Sequence, residues 1–175
     1  MRVVLSVGTH EQRFERMVAV ADALAAEGHD VTIQYGYSTP PTVANGFDFA
    51  PTQRLAELFA AADVIVTHAG PATVLQALEW GKLPIVFPRL SRFHEHVDDH
   101  QPSFARHLQR QGLARVAATE AEVLALAAER TQVPVTVTER ITRVAANRAR
   151  LAASLDAWLA GRRRPALGDG YRGDD

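Results

Sequence analysis

Residues 62–89, ADVIVTHAGPATVLQALEWGKLPIVFPR, limit the possible folds more than any other stretch of this chain. Val64, Ile65 and Val66 in succession suit a strand covered on both faces, as in a parallel sheet. Gly70 can take any backbone angle at a turn, and Pro71 presets φ at the first helical position, where its missing N–H costs nothing. The pattern predicts a strand from Asp63 to Thr67, a turn at His68, Ala69 and Gly70, and a helix from Pro71 to about Trp80. Gly81 closes that helix at the position that favours a left-handed residue, and Pro84 to Phe87 read as the next buried strand. A strand feeding a helix through small residues leaves unpaired N–H groups and partial positive charge at the helix start, which suits an anion. An ordinary crossover with nothing bound is the alternative for this stretch alone.

The rest of the chain repeats the alternation. Arg2 to Val7 read as a first strand, Gly8–Thr9–His10 as a turn and Glu11 to Glu27 as a helix. Thr9 and Gln12 have capping-box spacing, which makes Thr9 the expected N-cap. Val31 to Tyr35 and Phe47 to Ala50 read as strands two and three. Thr52 is the expected cap of a helix running to Ala61. After the central stretch come a polar loop from Ser91 to Asp99, a helix from about Pro102 to Arg110 closed by Gly112, and a strand from Ala114 to Ala117. Thr119 and Glu122 form another capping box, opening a helix to about Arg130, and a last helix runs from Thr138 to Ala160. Residues 1–160 thus make one α/β domain, and the polar tail 161–175 is expected to be disordered.

Six strands alternating with helices imply a doubly wound, Rossmann-like parallel sheet, most simply in the order 3-2-1-4-5-6. Strands 1 and 4 then flank the switch point. The turns Gly8–Thr9–His10 and His68–Ala69–Gly70 should lie side by side at the carboxyl edge, where an anionic ligand is expected.

Composition narrows the function. A formal charge of −1 gives no basic field for nucleic acid, and the absence of cysteine excludes disulfides and thiolate metal sites. No apolar run is long enough to span a bilayer or to serve as a signal segment, so a cytoplasmic location is expected. Neither a G-x-G-x-x-G dinucleotide fingerprint nor a G-x-S-x-G nucleophile elbow is present. His94, His96, Asp98, Asp99 and His100 could ligate a metal. They lack a tidy helical pair of ligands, and helix N-termini offset phosphate charge without one, so neither a metal nor a cofactor is expected.

HAGPATVLQALEWGKLPIVFPR followed by HVDDHQPSFARHL resembles the donor-binding signature of glycosyltransferase family 28, and the likeness runs from Val3 to about Val116. It is strongest to single-domain members whose chain is only the C-terminal half of a two-domain (GT-B) enzyme. These are the subunits of the dolichol-linked UDP-GlcNAc transferase and of bacterial exopolysaccharide transferases. The resemblance implies that Gly8, Thr9, Gly70, Pro71, Ala72 and Thr73 surround the diphosphate of a UDP-sugar. It implies ribose and sugar contacts from Gln76, His96, Asp99, His100 and Gln101, and base contacts around Ala50, Pro51 and Thr52. His10 and His68 are the catalytic candidates, with the general base expected on a partner chain. Gln76 departs from the glutamate that such proteins usually carry, losing charge and a stronger hydrogen bond.

By the same resemblance, the expected function is the donor-binding catalytic subunit of a two-component hexosyltransferase. It would act on a lipid-linked sugar acceptor in exopolysaccharide or glycan synthesis, held at the inner membrane by a membrane-anchored half-transferase. A non-catalytic accessory subunit that activates or stabilises a separate transferase is the alternative. On the last helix, Arg140, Arg143 and Arg150 recur on one face that a partner or anionic lipid could use.

Overall fold

A computed structural model describes residues 1–129 and 137–162, with side chains of residues 137–145 and 162 excepted. It holds one six-stranded, all-parallel sheet in the order β3-β2-β1-β4-β5-β6. The strands are β1 (Arg2–Ser6), β2 (Asp30–Gln34), β3 (Asn45–Phe47), β4 (Val64–Thr67), β5 (Ile85–Val86) and β6 (Arg115–Val116). The helices are α1 (Glu15–Ala26), α2 (Thr52–Ala61), α3 (Pro71–Glu79), α4 (His100–Arg110), α5 (Glu120–Ala128) and α6 (Val137–Arg162). Val3 pairs with Val31 on one side and with Val64 on the other, so β1 lies at the centre.

The side-chain alternation of a strand explains the two cores. Val3, Leu5, Val64 and Val66 face Phe14, Met17, Ala21 and Leu24 of the α1 side, joined by Val123 and Ala127 of α5. Val4 and Ile65, one residue out of phase, pack with Phe59 and Ala77 of α2 and α3 on the opposite face. Further along that face, Val86, Val74, Leu78, Phe104 and Leu108 enclose Leu151 of α6. Burying both faces is what turns β4 into a continuous apolar run.

Several boundaries match expectation. Gly81 closes α3 at a φ of 68°, as Gly112 closes α4 at 63°. Thr119 Oγ1 accepts the Glu122 N–H at 3.2 Å, and Glu122 takes the Ala118 N–H at 2.8 Å.

Others do not. Helix α1 starts at Glu15 with Phe14 as its N-cap residue, so Thr9 is not the cap. The Gln12 N–H goes instead to Nδ1 of His10 at 3.2 Å, and Ser38 Oγ accepts the Phe14 N–H at 2.8 Å. The reason is remote in sequence: the Arg89 guanidinium donates to the Gln12 carbonyl at 2.6 Å and holds residues 9–14 out of the helix. Thr52 is the first helical residue of α2 rather than its cap, which is Pro51. Strand β3 forms at Asn45–Phe47, two residues earlier than expected, where Ile33 pairs with Gly46. The Asp22 carboxylate receives the N–H groups of Thr42, Val43 and Ala44 at 2.9–3.1 Å and thereby ties the approach to β3 onto α1. Burial raises its pKa, but these bonds outweigh that and lower it to about 2.

Gly161 and Arg162 continue α6, and the rest of the expected tail, 163–175, lies outside the described residues. So do Arg130 and the linker to residue 136, together with the side chains of Arg140 and Arg143. Arg150 is hydrogen-bonded to the Gln111 carbonyl at the end of α4, and Arg148 pairs with Glu79 of α3 at 3.1 Å. Part of the basic face therefore docks α6 onto its own domain. Among the described residues, no helix is long and apolar enough to cross a membrane.

Candidate functional site

The turns after β1 and β4 meet, as the strand order requires, and the imidazole of His68 fills the space between them. A methyl on Gly8 would overlap Cε1 of that ring and fall 2.7 Å from its Nε2. A methyl on Gly70 would overlap Nε2 and fall 2.7 Å from Cε1. Both glycines are thus demanded by one histidine, and Gly8 also holds a left-handed φ of 76° that favours glycine. Gly70 has φ −87°, so steric exclusion alone fixes its identity. Beneath Gly8, the Ser6 hydroxyl donates to Gln34 Oε1 at 2.7 Å and accepts the Gly8 N–H at 3.3 Å. Gln34 Nε2 returns to the Gly8 carbonyl at 3.4 Å and closes a buried polar cradle under the turn.

Burial, and to a lesser extent the nearby Arg89 charge, lowers the His68 pKa to about 3. The ring is 9% exposed and neutral, placed to pack and orient rather than to exchange protons with a ligand. Above it, Gly70 is the N-cap residue of α3 and Pro71 the first helical residue. The N–H groups of Ala72 and Thr73 lie in the first turn, where a helix has no internal acceptor. Pro71 and Ala72 are exposed, and Thr73 and Gln76 are half-buried. The helix start therefore presents donors and the positive end of its dipole to solvent at the carboxyl edge.

The loop after β5 brings a second cluster over the first turn. His10 and His96 have ring centroids 4.5 Å apart, and His96 and His100 are 4.4 Å apart. Nδ1 of His96 lies 3.5 Å from Asp98 Oδ1, and His100 Nδ1 is hydrogen-bonded to the same oxygen. Burial lowers the His96 pKa, as does the adjacent His100. The other residues of this segment face elsewhere. Asp99 accepts the Ser91 N–H at 3.0 Å, and the buried Gln101 accepts the Arg89 N–H at 3.1 Å. On the far side of the sheet edge, exposed Pro51 and Thr52 and half-buried Ala50 open α2. Tyr37 and Phe49 form an edge-on ring pair 5.1 Å apart at the carboxyl ends of β2 and β3.

The scaffold joining these parts was not legible as a site. Arg89 is completely buried and donates to the carbonyls of Val7 at 2.8 Å, Gln12 at 2.6 Å and Glu95 at 3.1 Å. Desolvation lowers its pKa to about 10, still far above neutrality. Glu95 grips Arg16 through two bonds of 2.8 and 2.6 Å and accepts the Leu90 N–H at 2.9 Å. The Arg16 guanidinium also lies 4.4 Å from the Phe87 ring centroid. Together Arg16, Arg89 and Glu95 stitch the β1–α1 loop to the β5–α4 loop and so set His10 against His96. The sequence signal was an arginine directly after a buried strand, Phe87–Pro88–Arg89.

Residues 2–155 match the glycosyltransferase family 28 C-terminal domain. A 92-residue segment is 33% identical to the UDP-N-acetylglucosamine–N-acetylmuramyl-(pentapeptide) pyrophosphoryl-undecaprenol N-acetylglucosamine transferase of Hahella chejuensis. That segment is 53% of this chain and 24% of the relative. The fold is similar to the glycotransferase of kitacinnamycin, with TM-score 0.60, 20% identity and coverage of 94% of this chain and 43% of that one. It is also similar to MurG of Acinetobacter baumannii, with TM-score 0.51, 17% identity and coverage of 87% and 49%. The chain thus spans a quarter of its curated relative and less than half of these solved structures. With the match covering the whole sheet and both glycine turns, this chain belongs to the glycosyltransferase family 28 C-terminal domain family.

Proposed function

We propose that this chain binds a UDP-sugar at the switch point and is the donor-binding catalytic subunit of a two-component glycosyltransferase. The observation that carries the reading is the packing of Gly8 and Gly70 against one neutral histidine beneath the exposed start of α3. This keeps Gly8 and Gly70 free of a side chain where a diphosphate would approach, with the Ala72 and Thr73 N–H groups and the Thr73 hydroxyl as donors. Gln76, on the next turn of α3, takes the ribose, and His96 and His100 approach the sugar. Ala50, Pro51 and Thr52 take the base. That the Hahella relative is a transferase of N-acetylglucosamine from its UDP form to a pyrophosphoryl-undecaprenol acceptor supports a UDP-sugar donor and a lipid-linked acceptor.

In the reaction, the acceptor hydroxyl oxygen bonds to the anomeric carbon as the bond from that carbon to the diphosphate oxygen breaks. The diphosphate leaves with the electron pair, and the α3 dipole and its N–H groups stabilise the developing charge. Because Nδ1 of His10 accepts a main-chain N–H, its Nε2 carries the proton in the neutral ring and donates toward the donor. The acceptor's proton goes to a base outside these residues. The residues described form one α/β unit, and we assign the acceptor pocket to a membrane-associated half-transferase that holds this chain at the cytoplasmic face of the inner membrane. The glycan made would be an exopolysaccharide or a related lipid-linked polymer.

The test is to follow transfer from labelled UDP-sugar into membranes with this chain alone, with its candidate partner, and with both. Transfer only with both supports the two-component reading. Robust transfer by the purified 175-residue chain on lipid acceptor without a second protein overturns it.

A further inference from the structure

We propose that His96, Asp98 and His100 form a binding site for a divalent transition metal ion such as Zn2+ or Co2+. Alternate residues at the end of one loop and the start of α4 turn three donor groups toward one point, and one ligand atom from each lies within 4.8 Å of the other two. Both imidazoles present Nδ1 to the same carboxylate oxygen, Asp98 Oδ1, His96 from 3.5 Å and His100 through a hydrogen bond. The Asp98 N–H points at His96 Nδ1, 3.4 Å away, so that nitrogen carries a lone pair rather than a proton. A metal entering here would displace the proton that His100 shares with Asp98.

Two imidazole nitrogens and a carboxylate oxygen are a donor set that Zn2+ and Co2+ accept, with bonds of about 2.0–2.2 Å. Tetrahedral ligand atoms then lie roughly 3.4 Å apart, so the His96–Asp98 separation of 3.5 Å already fits and the His100–Asp98 hydrogen bond must open to admit the ion. The exposed Asp98 side chain, 56% accessible, leaves room for that movement. His10 stands beside the cluster, its ring centroid 4.5 Å from that of His96, but it is not one of the three residues whose donor atoms converge. The three groups leave a fourth position for water or an incoming oxygen, facing the same carboxyl edge as the glycine turns. The site is built from the loop and the first residue of α4, and it draws on the two histidines given to the sugar above, so metal binding is tested without nucleotide and its outcome is separate from that reading.

Cobalt provides the probe, because its visible absorption reports tetrahedral nitrogen and oxygen ligation. Nucleotide-free protein is titrated with Co2+ and, in a calorimeter, with Zn2+. Wild type should bind one equivalent at micromolar concentration and develop the cobalt bands. His96→Ala and His100→Gln should each weaken binding by about a hundredfold or more, since even outer-shell partners of a metal ligand are worth up to that much. His10→Ala and His107→Ala should bind as wild type does, and far-ultraviolet dichroism should report the same fold in all five proteins. No saturable binding below millimolar metal, or wild-type affinity in both His96→Ala and His100→Gln, overturns the site.

Discussion

His68 dictates Gly70: the α-carbon of Gly70 lies against the imidazole of a residue two positions earlier, too close for any β-carbon. Because φ at Gly70 is −87°, no backbone strain contributes, and the pair can be separated by mutation. Gly70→Ala should cost about 1–3 kcal/mol, the usual penalty for overpacking. In a His68→Ala background the same change should cost far less, giving a coupling of at least about 1 kcal/mol. Denaturant midpoints of the four proteins measure it, and equal costs in both backgrounds would contradict the packing.

The buried ring also makes stability depend on pH. In the unfolded chain His68 titrates near its ordinary value of 6.5, whereas in the folded protein burial lowers its pKa to about 3. The folded state therefore binds fewer protons between these values. Stability is complete above pH 6.5 and falls as pH drops toward 3, by up to about 1.4 kcal/mol per pH unit from this group. His68→Asn should flatten the slope between pH 6.5 and 4, and an unchanged slope would show that the ring is not held neutral.

Glu95 and Arg16 form a pair with side chains 5% and 17% exposed. Glu95→Gln leaves Arg16 charged and half-satisfied beside Phe87, and should cost about 3 kcal/mol or more. Adding Arg16→Met should recover part of the loss, because the unpaired charge is gone. Thermal unfolding of the single and double variants reads the difference, and a double variant less stable than Glu95→Gln would contradict this.

Asp22 should matter far more than a surface carboxylate does. Asp22→Ala removes the acceptor of three successive N–H groups and should cost about 1–2 kcal/mol at neutral pH, allowing for solvent screening of this partly exposed group. Amide exchange at Thr42, Val43 and Ala44 should accelerate selectively. Unchanged exchange there would mean that the loop is held by other contacts.

Gln76→Glu restores the carboxylate that proteins of this kind usually carry, and should tighten UDP binding by about 1 kcal/mol. A loss of affinity in the same titration would place this residue against the phosphates instead.

The strand order and the β4–α3–β5 unit were readable because each depends on local pattern: a β-branched run, Gly70–Pro71, and a closing Gly81. That the turns of Gly8 and His68 lie side by side followed from that order, but the His68 ring filling the space over Gly8 did not, since it depends on side-chain packing between residues sixty positions apart. Thr9 failed as a cap for the same reason: Arg89 takes the carbonyls that a longer α1 would use. The inward turn of Gln101 was present in the sequence as the helical spacing Gln101, Phe104, Ala105, Leu108, all buried on one face of α4. The motif likeness drew attention to the polarity of Gln101, whereas the periodicity placed it inside.

The most direct test of donor binding at the start of α3 is a calorimetric titration of wild type and Ala72→Asp with UDP. Ala72 is exposed and in the first turn, where an aspartate suits the helix dipole, so the variant should fold with unchanged or slightly raised thermal stability. Its carboxylate would nonetheless face the diphosphate. Saturable UDP binding by wild type and at least a tenfold loss in Ala72→Asp is the predicted result, and equal binding by the two proteins would contradict it.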